Sequence, residues 1–188
     1  DIIKYKRDDS SQKLYIDEVF QLIPSELNAK NKRFILKSLN EKARFASYEN
    51  SFLWLRDAGV ALPTCNVEEP KQPLLLAKTR NLFKLFQSDV GLLTSQFADG
   101  IQLKLLADNQ VINYGAIYEN VVAQELKAHG FDLYYYNSKR LGELDFVVEY
   151  HGHVLPIEVK SGKVYERHNA LSNVMSSAEY ALPEALVL

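Results

Sequence analysis

Pro156-Ile157-Glu158-Val159-Lys160-Ser161-Gly162, with the Asp145 of Glu143-Leu144-Asp145-Phe146 standing thirteen residues before Glu158, decides how this chain is read. Both stretches are apolar runs interrupted by acids, and the second closes on a lysine. A carboxylate taken out of water is costly unless it is paired, protonated or bound to a metal. Side chains two apart on a strand share a face, so Glu158 and Lys160 project together, about 6 to 7 Å apart along the chain, while Ile157 and Val159 point into the core. His151-Gly152 reads as the tight turn of a hairpin between the two runs, which lets Asp145 reach the same face. Two converging carboxylates repel unless a divalent cation lies between them, and hard oxygen donors with room for water suit Mg²⁺, or Mn²⁺ in its place. Lys160 then orients or deprotonates an attacking water, or stabilises a pentavalent phosphate. Glu119, brought in from a helix, completes the shell; the alternative is a simple Glu158–Lys160 ion pair on a solvated strand face, with Asp145 a strand-edge charge.

Working outward, residues 115 to 129 have helical spacing, with Ile117, Tyr118, Val121, Val122 and Leu126 as one stripe. Glu119 falls at the edge of that stripe and Glu125 near its middle. Strands are expected over residues 131 to 136, 144 to 150 and 154 to 160, then a helix over 166 to 181 and a final strand in Ala185-Leu186-Val187-Leu188. Helix, three-stranded meander, helix and strand make an α/β order with a covered sheet. Glu143 and Glu149 read as surface charges and Lys163 as a solvated loop lysine within reach of phosphate. His151 and His153 have no partners at metal spacing, and Trp54 reads as core.

The front of the chain has a different rhythm. Residues 11 to 23 form a helix that Pro24-Ser25 breaks, Ser25-Glu26-Leu27 starts a short second one, and residues 31 to 42 give a third. A fourth run from Ser47 stops at Gly59. Val60-Ala61-Leu62 and Leu74-Leu75-Leu76-Ala77, joined by Glu68-Glu69-Pro70-Lys71-Gln72-Pro73, then read as a hairpin. Short helices followed by a two-stranded ribbon are the plan of a winged helix. Its recognition helix, residues 47 to 58, carries only Arg56 as a base, which favours packing against a neighbour over reading DNA. Residues 82 to 86 continue as an extended segment and 89 to 95 as a short helix. Asp99-Gly100 and Asp108-Asn109 are loop signals, so the expected division is a winged-helix-like domain over 1–105 and an α/β domain over 106–188, cut short at its end.

The chain has 188 residues and a single cysteine, Cys65, so an internal disulfide or a cysteine-based zinc site is excluded and a reducing, cytoplasmic setting is expected. No apolar run approaches the roughly 20 residues that span a bilayer, and no signal-peptide pattern opens the chain, so no membrane partner is expected. The start at Asp1 and the apolar end suggest an excised piece of a longer protein. Residues 1 to 105 hold 16 Lys and Arg against 13 Asp and Glu, and residues 106 to 188 hold 6 against 11. The acidic back half argues against tight nonspecific DNA binding by this piece alone. None of the eight glycines belongs to a G-x-x-x-x-G-K run, so this piece has no such nucleotide cradle.

A helix glutamate followed by D-x(n)-E-x-K on a hairpin resembles the PD-(D/E)xK nuclease fold. Gly115-Ala116-Ile117-Tyr118-Glu119-Asn120, Gln124-Glu125-Leu126, Tyr134-Tyr135-Tyr136, Glu143-Leu144-Asp145-Phe146-Val147 and Pro156 to Gly162 resemble the C-terminal region of a bacterial and archaeal family of AAA-type ATPases. Asp89-Val90-Gly91-Leu92-Leu93 extends the similarity to the front half. The resemblance implies a winged-helix segment and then a restriction-endonuclease-like three-layer domain with a central mixed sheet. It places the nuclease roles on Glu119, Asp145, Glu158 and Lys160. It also implies an ATPase domain earlier in the same polypeptide, where ATP would bind and through which a homo-oligomer could form, and a nucleic acid, DNA in the first place, as partner. The rival expectation is a module that binds DNA or protein and regulates the ATPase without hydrolysis.

Overall fold

The computed structural model describes residues 10–39, 44–98, 100–107, 114–162 and 168–188, and the side chains of these other than 10–14 and 80. Asp99, Asp108-Asn109, Lys163 and Glu166 lie outside the described residues. The 144–160 hairpin has the expected form: β4 (Gly142–Tyr150) and β5 (His153–Glu158) are antiparallel, from Tyr150 opposite His153 to Phe146 opposite Ile157. His151 and Gly152 both take positive φ, 46° and 81°, the backbone that a two-residue turn between right-twisted strands needs. β3 (Tyr134–Ser138) lies on the other side of β4, and β6 (Leu186–Val187) runs parallel to β5. With α5 (Gly115–Ala128) before the meander and α6 (Asn169–Met175) before β6, the order is the expected helix, three strands, helix, strand.

Among the described residues the front hairpin belongs to the same sheet as the back meander, across the expected division at 105/106. β1 (Ala61–Val67) pairs antiparallel with β2 (Lys78–Gln87) and parallel with β3, Cys65 to Val67 lying beside Tyr134 to Tyr136. The result is one six-stranded mixed sheet in the order β2-β1-β3-β4-β5-β6. The ribbon expected as a wing thus has its inner edge, β1, paired with β3 in the sheet. The second hairpin strand is also displaced. Leu74 packs inward and donates its N–H to Glu149 at 3.1 Å, while Leu75 and Leu76 stay exposed in the connection. The extended run 82–86 is thus the body of β2 rather than a separate segment.

Two apolar layers cover the sheet. On one face α1 (Ser10–Asn28), α2 (Phe45–Asp57) and α5 pack Ile16, Val19, Ile23, Leu27, Phe52 and Leu55 against Leu85, Phe146, Val148 and Ile157. On the other, Leu171 and Val174 of α6 meet Tyr136, Leu144, Val147 and Val154. Pro24 does not end α1, contrary to expectation. Ile23 and Leu27 on either side of it are fully buried, and that burial outweighs the hydrogen bond a proline removes. Residues 31 to 42 give only a short 3-10 turn, Leu36–Ser38, among the described residues, and Glu26 is buried accepting the Ile35 N–H at 2.8 Å. α2 ends as expected, with Gly59 at φ 68°. α3 (Val90–Ser95), capped by Asp89 on the Leu92 N–H at 3.0 Å, and α4 (Ile101–Leu106) lead towards α5. Among the described residues no helix is long and apolar enough to cross a membrane.

α5 sits on the sheet through polar groups. Its buried positions are Ala116, Glu119, Asn120 and Ala123, not the apolar stripe expected from spacing, and Tyr118 and Glu125 face outward. Asn120 accepts the Gln87 N–H at 2.8 Å and donates to the Gln87 carbonyl at 3.0 Å, while Gln124 accepts the Val90 N–H at 2.9 Å. This amide pairing fixes the height of α5 over the end of β2 and so sets where Glu119 lies. Asn120→Ala leaves a buried N–H and a buried carbonyl unpaired and is expected to cost about 2–4 kcal/mol by urea denaturation. A loss below about 1 kcal/mol would mean that the pairing does not hold the helix.

Candidate functional site

The strand that carries Asp145 is irregular beside it. Tyr134 opposes Val147 and Tyr136 opposes Leu144, so two steps on β3 cover three on β4 and an extra residue bulges at Asp145-Phe146. Bulges re-aim side chains, and this one stands where the β4–β5 ladder has reached its last pair. Beyond that pair the Asp145 carboxylate replaces the main chain, accepting the Val159 N–H through Oδ2 at 2.9 Å. β6 holds the other side: Leu188 donates to the Glu158 carbonyl at 2.9 Å and the Lys160 N–H donates to the Leu188 carbonyl at 2.8 Å. The end of β5 is thereby clamped on both edges, and Glu158 and Lys160 are held with Lys160 Nζ 2.6 Å from Glu158 Oε1.

Glu119 joins this end of the sheet from α5, as expected. Glu119, Asp145 and Glu158 are all buried. Burial, and then the charge of Asp145, pushes the Glu119 carboxyl up to about 7 against the opposing pull of Lys84 and Lys32. The Glu158 carboxyl is raised by burial and by Asp145, with Lys160 and Lys32 acting the other way. Asp145 therefore lies in the field of both Glu119 and Glu158.

Two further lysines were not anticipated. Lys32, in the turn that follows α1, donates from Nζ to Glu119 Oε1. Burial works to lower its pKa, but Glu119, Asp145 and Glu143 together raise it. Lys84, from the middle of β2, is completely buried, with Nζ 3.9 Å from Glu119 Oε2, 2.7 Å from Glu143 Oε1 and 4.9 Å from the centre of the Tyr135 ring. Glu143, read from sequence as a surface charge, thus pairs with a buried cation, and it also accepts from the Asn137 amide. The period of two could have found Glu143, since it sits two residues from Asp145. For Lys84 the signal was a lysine inside Leu82-Phe83-Lys84-Leu85-Phe86, but its partners lie too far along the chain to be paired by spacing.

The oxygen donors have the chemistry of a hard-cation site. Glu119 Oε2 and Glu158 Oε2 are buried without a hydrogen-bond partner and so have lone pairs to offer. As they stand, however, Glu119 and Glu158 are each met by an ammonium group, and no group of three or more His, Cys, Asp or Glu side chains among the described residues has metal-holding spacing. Oxygens of this kind are the donors that Mg²⁺ takes, and Glu119 and Glu158 would have to turn from their lysines to meet an ion.

The Glu119 shift has a direct consequence for stability. A carboxyl whose pKa is raised on folding favours the folded state below its unfolded pKa, near 4.5, and loses that contribution as pH rises through about 7. In chelator-containing buffer the wild-type chain should lose on the order of 3 kcal/mol relative to Glu119→Gln between pH 4.5 and 8. Chemical denaturation of both proteins across that range checks this. Parallel pH profiles would show that Glu119 is not desolvated as described.

Residues 114–188 match a domain of unknown function, DUF4143, a domain commonly found in the C-terminal part of AAA-ATPase proteins. No curated protein and no solved structure matches the chain. The matched stretch contains Glu119, Glu143, Asp145, Glu158 and Lys160, while Lys32 and Lys84 come from outside it.

Proposed function

We propose that the region from α5 to β6 is a metal-dependent nuclease-type module of the PD-(D/E)xK kind, acting on nucleic-acid phosphodiesters, DNA foremost, within a polypeptide that also carries an AAA-type ATPase domain. The observation that supports it most is the meeting of Glu119 from α5, Asp145 from β4, Glu158 at the end of β5 and Lys160 just beyond it, at one end of a helix, three-strand, helix, strand unit. Asp145, Glu158 and Glu119 would hold Mg²⁺ or Mn²⁺. When bound, the ion supplies positive charge at the scissile phosphate and a more acidic water.

The chain's own groups do the rest. Asp145 is fixed by the Val159 N–H, so it cannot swing away when charge builds beside it. Lys160 is a half-buried cation beside Glu158, where it would hold a water or stabilise the extra negative charge on the phosphorus oxygens. Lys84 offsets the charge of Glu119 and Glu143 from beneath. The ATPase would supply nucleotide binding and assembly, since neither is read in this piece.

A second reading is favoured by one observation: the carboxylates already have lysine partners, which suits a structural ion cluster in a module that binds DNA or protein and regulates the ATPase. Incubation with DNA and RNA substrates and Mg²⁺ or Mn²⁺ separates the two. Lys160→Ala and Asp145→Asn should each lower cleavage on the order of 10²- to 10⁴-fold. Undiminished cleavage in Lys160→Ala would remove the assigned mechanism, and no cleavage on any substrate by the ATPase-containing polypeptide would leave the binding module as the reading.

A further inference from the structure

Lys32 stands apart from the other lysines of the cluster. Lys160 lies two residues beyond Glu158, just past the end of β5, and Lys84 is sealed inside the sheet. Lys32 arrives on a connecting turn, 87 residues from Glu119 in sequence, with its side chain 27% exposed. Its ammonium touches Glu119 Oε1 and lies in the field of Asp145, Glu143 and Glu158 as well. A single positive charge shared among the proposed ligand carboxylates does electrostatically what a hard cation would do there. Its backbone is held at φ 49°, a left-handed conformation unusual for a side chain with a Cβ, by the Lys32 N–H on the Ala29 carbonyl at 3.1 Å. The turn is thus shaped to send this side chain under α5, yet enough of it reaches water for the ammonium to be withdrawn.

We propose that the Lys32 ammonium and a divalent cation compete for Glu119, so that the turn after α1 is a latch on the metal site. This rests on the metal-binding reading of Glu119, Asp145 and Glu158 given above. Binding linkage makes the competition reciprocal: whatever holds Lys32 in place weakens the cation, and the cation loosens Lys32. The front helices, α1 and α2, are then able to govern the site without contributing a ligand to it.

Titration of the chain with Mn²⁺ alone, followed by calorimetry, tests this without any assay of cleavage. Lys32→Met, which keeps the aliphatic stem, should bind Mn²⁺ with a Kd roughly tenfold or more below that of the wild-type chain. Equal or weaker binding by a folded Lys32→Met would overturn the latch and leave the metal site standing. Absence of Mn²⁺ binding in both chains would instead overturn the metal reading, and the latch with it. A measurement on the wild-type chain covers the case in which the variant does not fold: amine-reactive labelling, read by mass spectrometry, should increase at Lys32 at saturating Mn²⁺. Labelling of Lys32 that is unchanged at saturation would overturn the latch.

Discussion

The cost of removing charge from water governs this structure. Glu119, Asp145, Glu158 and Lys84 are buried, and Glu143, Lys32 and Lys160 close around them. None of these groups could be tolerated alone at such depth, because the solvation a buried ion loses is returned only by close partners. The partners come from α5, β2, β4, β5 and the turn after α1, so the fold must be complete before each buried charge has its partner. Apolar layers on both faces of the sheet stabilise the chain, but the cluster decides which elements must meet and at what height.

Several devices set that height. The amide of Asn120 locks onto the Gln87 main chain, the bulge in β4 re-aims Asp145, and β6 clamps the end of β5. The first two use a side-chain group in place of a missing main-chain partner, the third is main chain on main chain, and each lies within a few residues of a charged group. The front hairpin is equally involved: pairing of β1 with β3 carries β2, and with it Lys84, to the underside of Glu119.

The back half was legible because local rules control it. Alternation in residues 144–150 and 154–160, the His151-Gly152 turn and the glycine after α5 gave the order of elements, and D-x(n)-E-x-K gave three of the charged groups. The front half misled where tertiary packing overrode a local signal. Pro24 sits inside α1 because its neighbours are buried, and Leu74-Leu75-Leu76 is a turn because only Leu74 finds a pocket. α5 misled for a related reason: its sheet-facing side is polar and its apolar stripe is partly exposed, so periodicity selected the wrong face. Lys32 and Lys84 could not be read at all, since ion pairing across 87 and 35 residues leaves no period in a sequence.

The parallel pairing of β1 with β3 bears on where this polypeptide can be divided. Residues 114–188 correspond to the matched domain, yet β3 within them has Tyr134, Tyr135 and Tyr136 in parallel register with a strand encoded some seventy residues earlier. Cut away from that strand, the three tyrosines would present an open row of main-chain donors and acceptors flanked by large apolar rings, a template for pairing between chains. Glu119 would at the same time lose both ammonium groups that face it from the front half. The sheet therefore extends beyond the stretch of sequence similarity, and β3 is an interior strand only while the front hairpin is beside it.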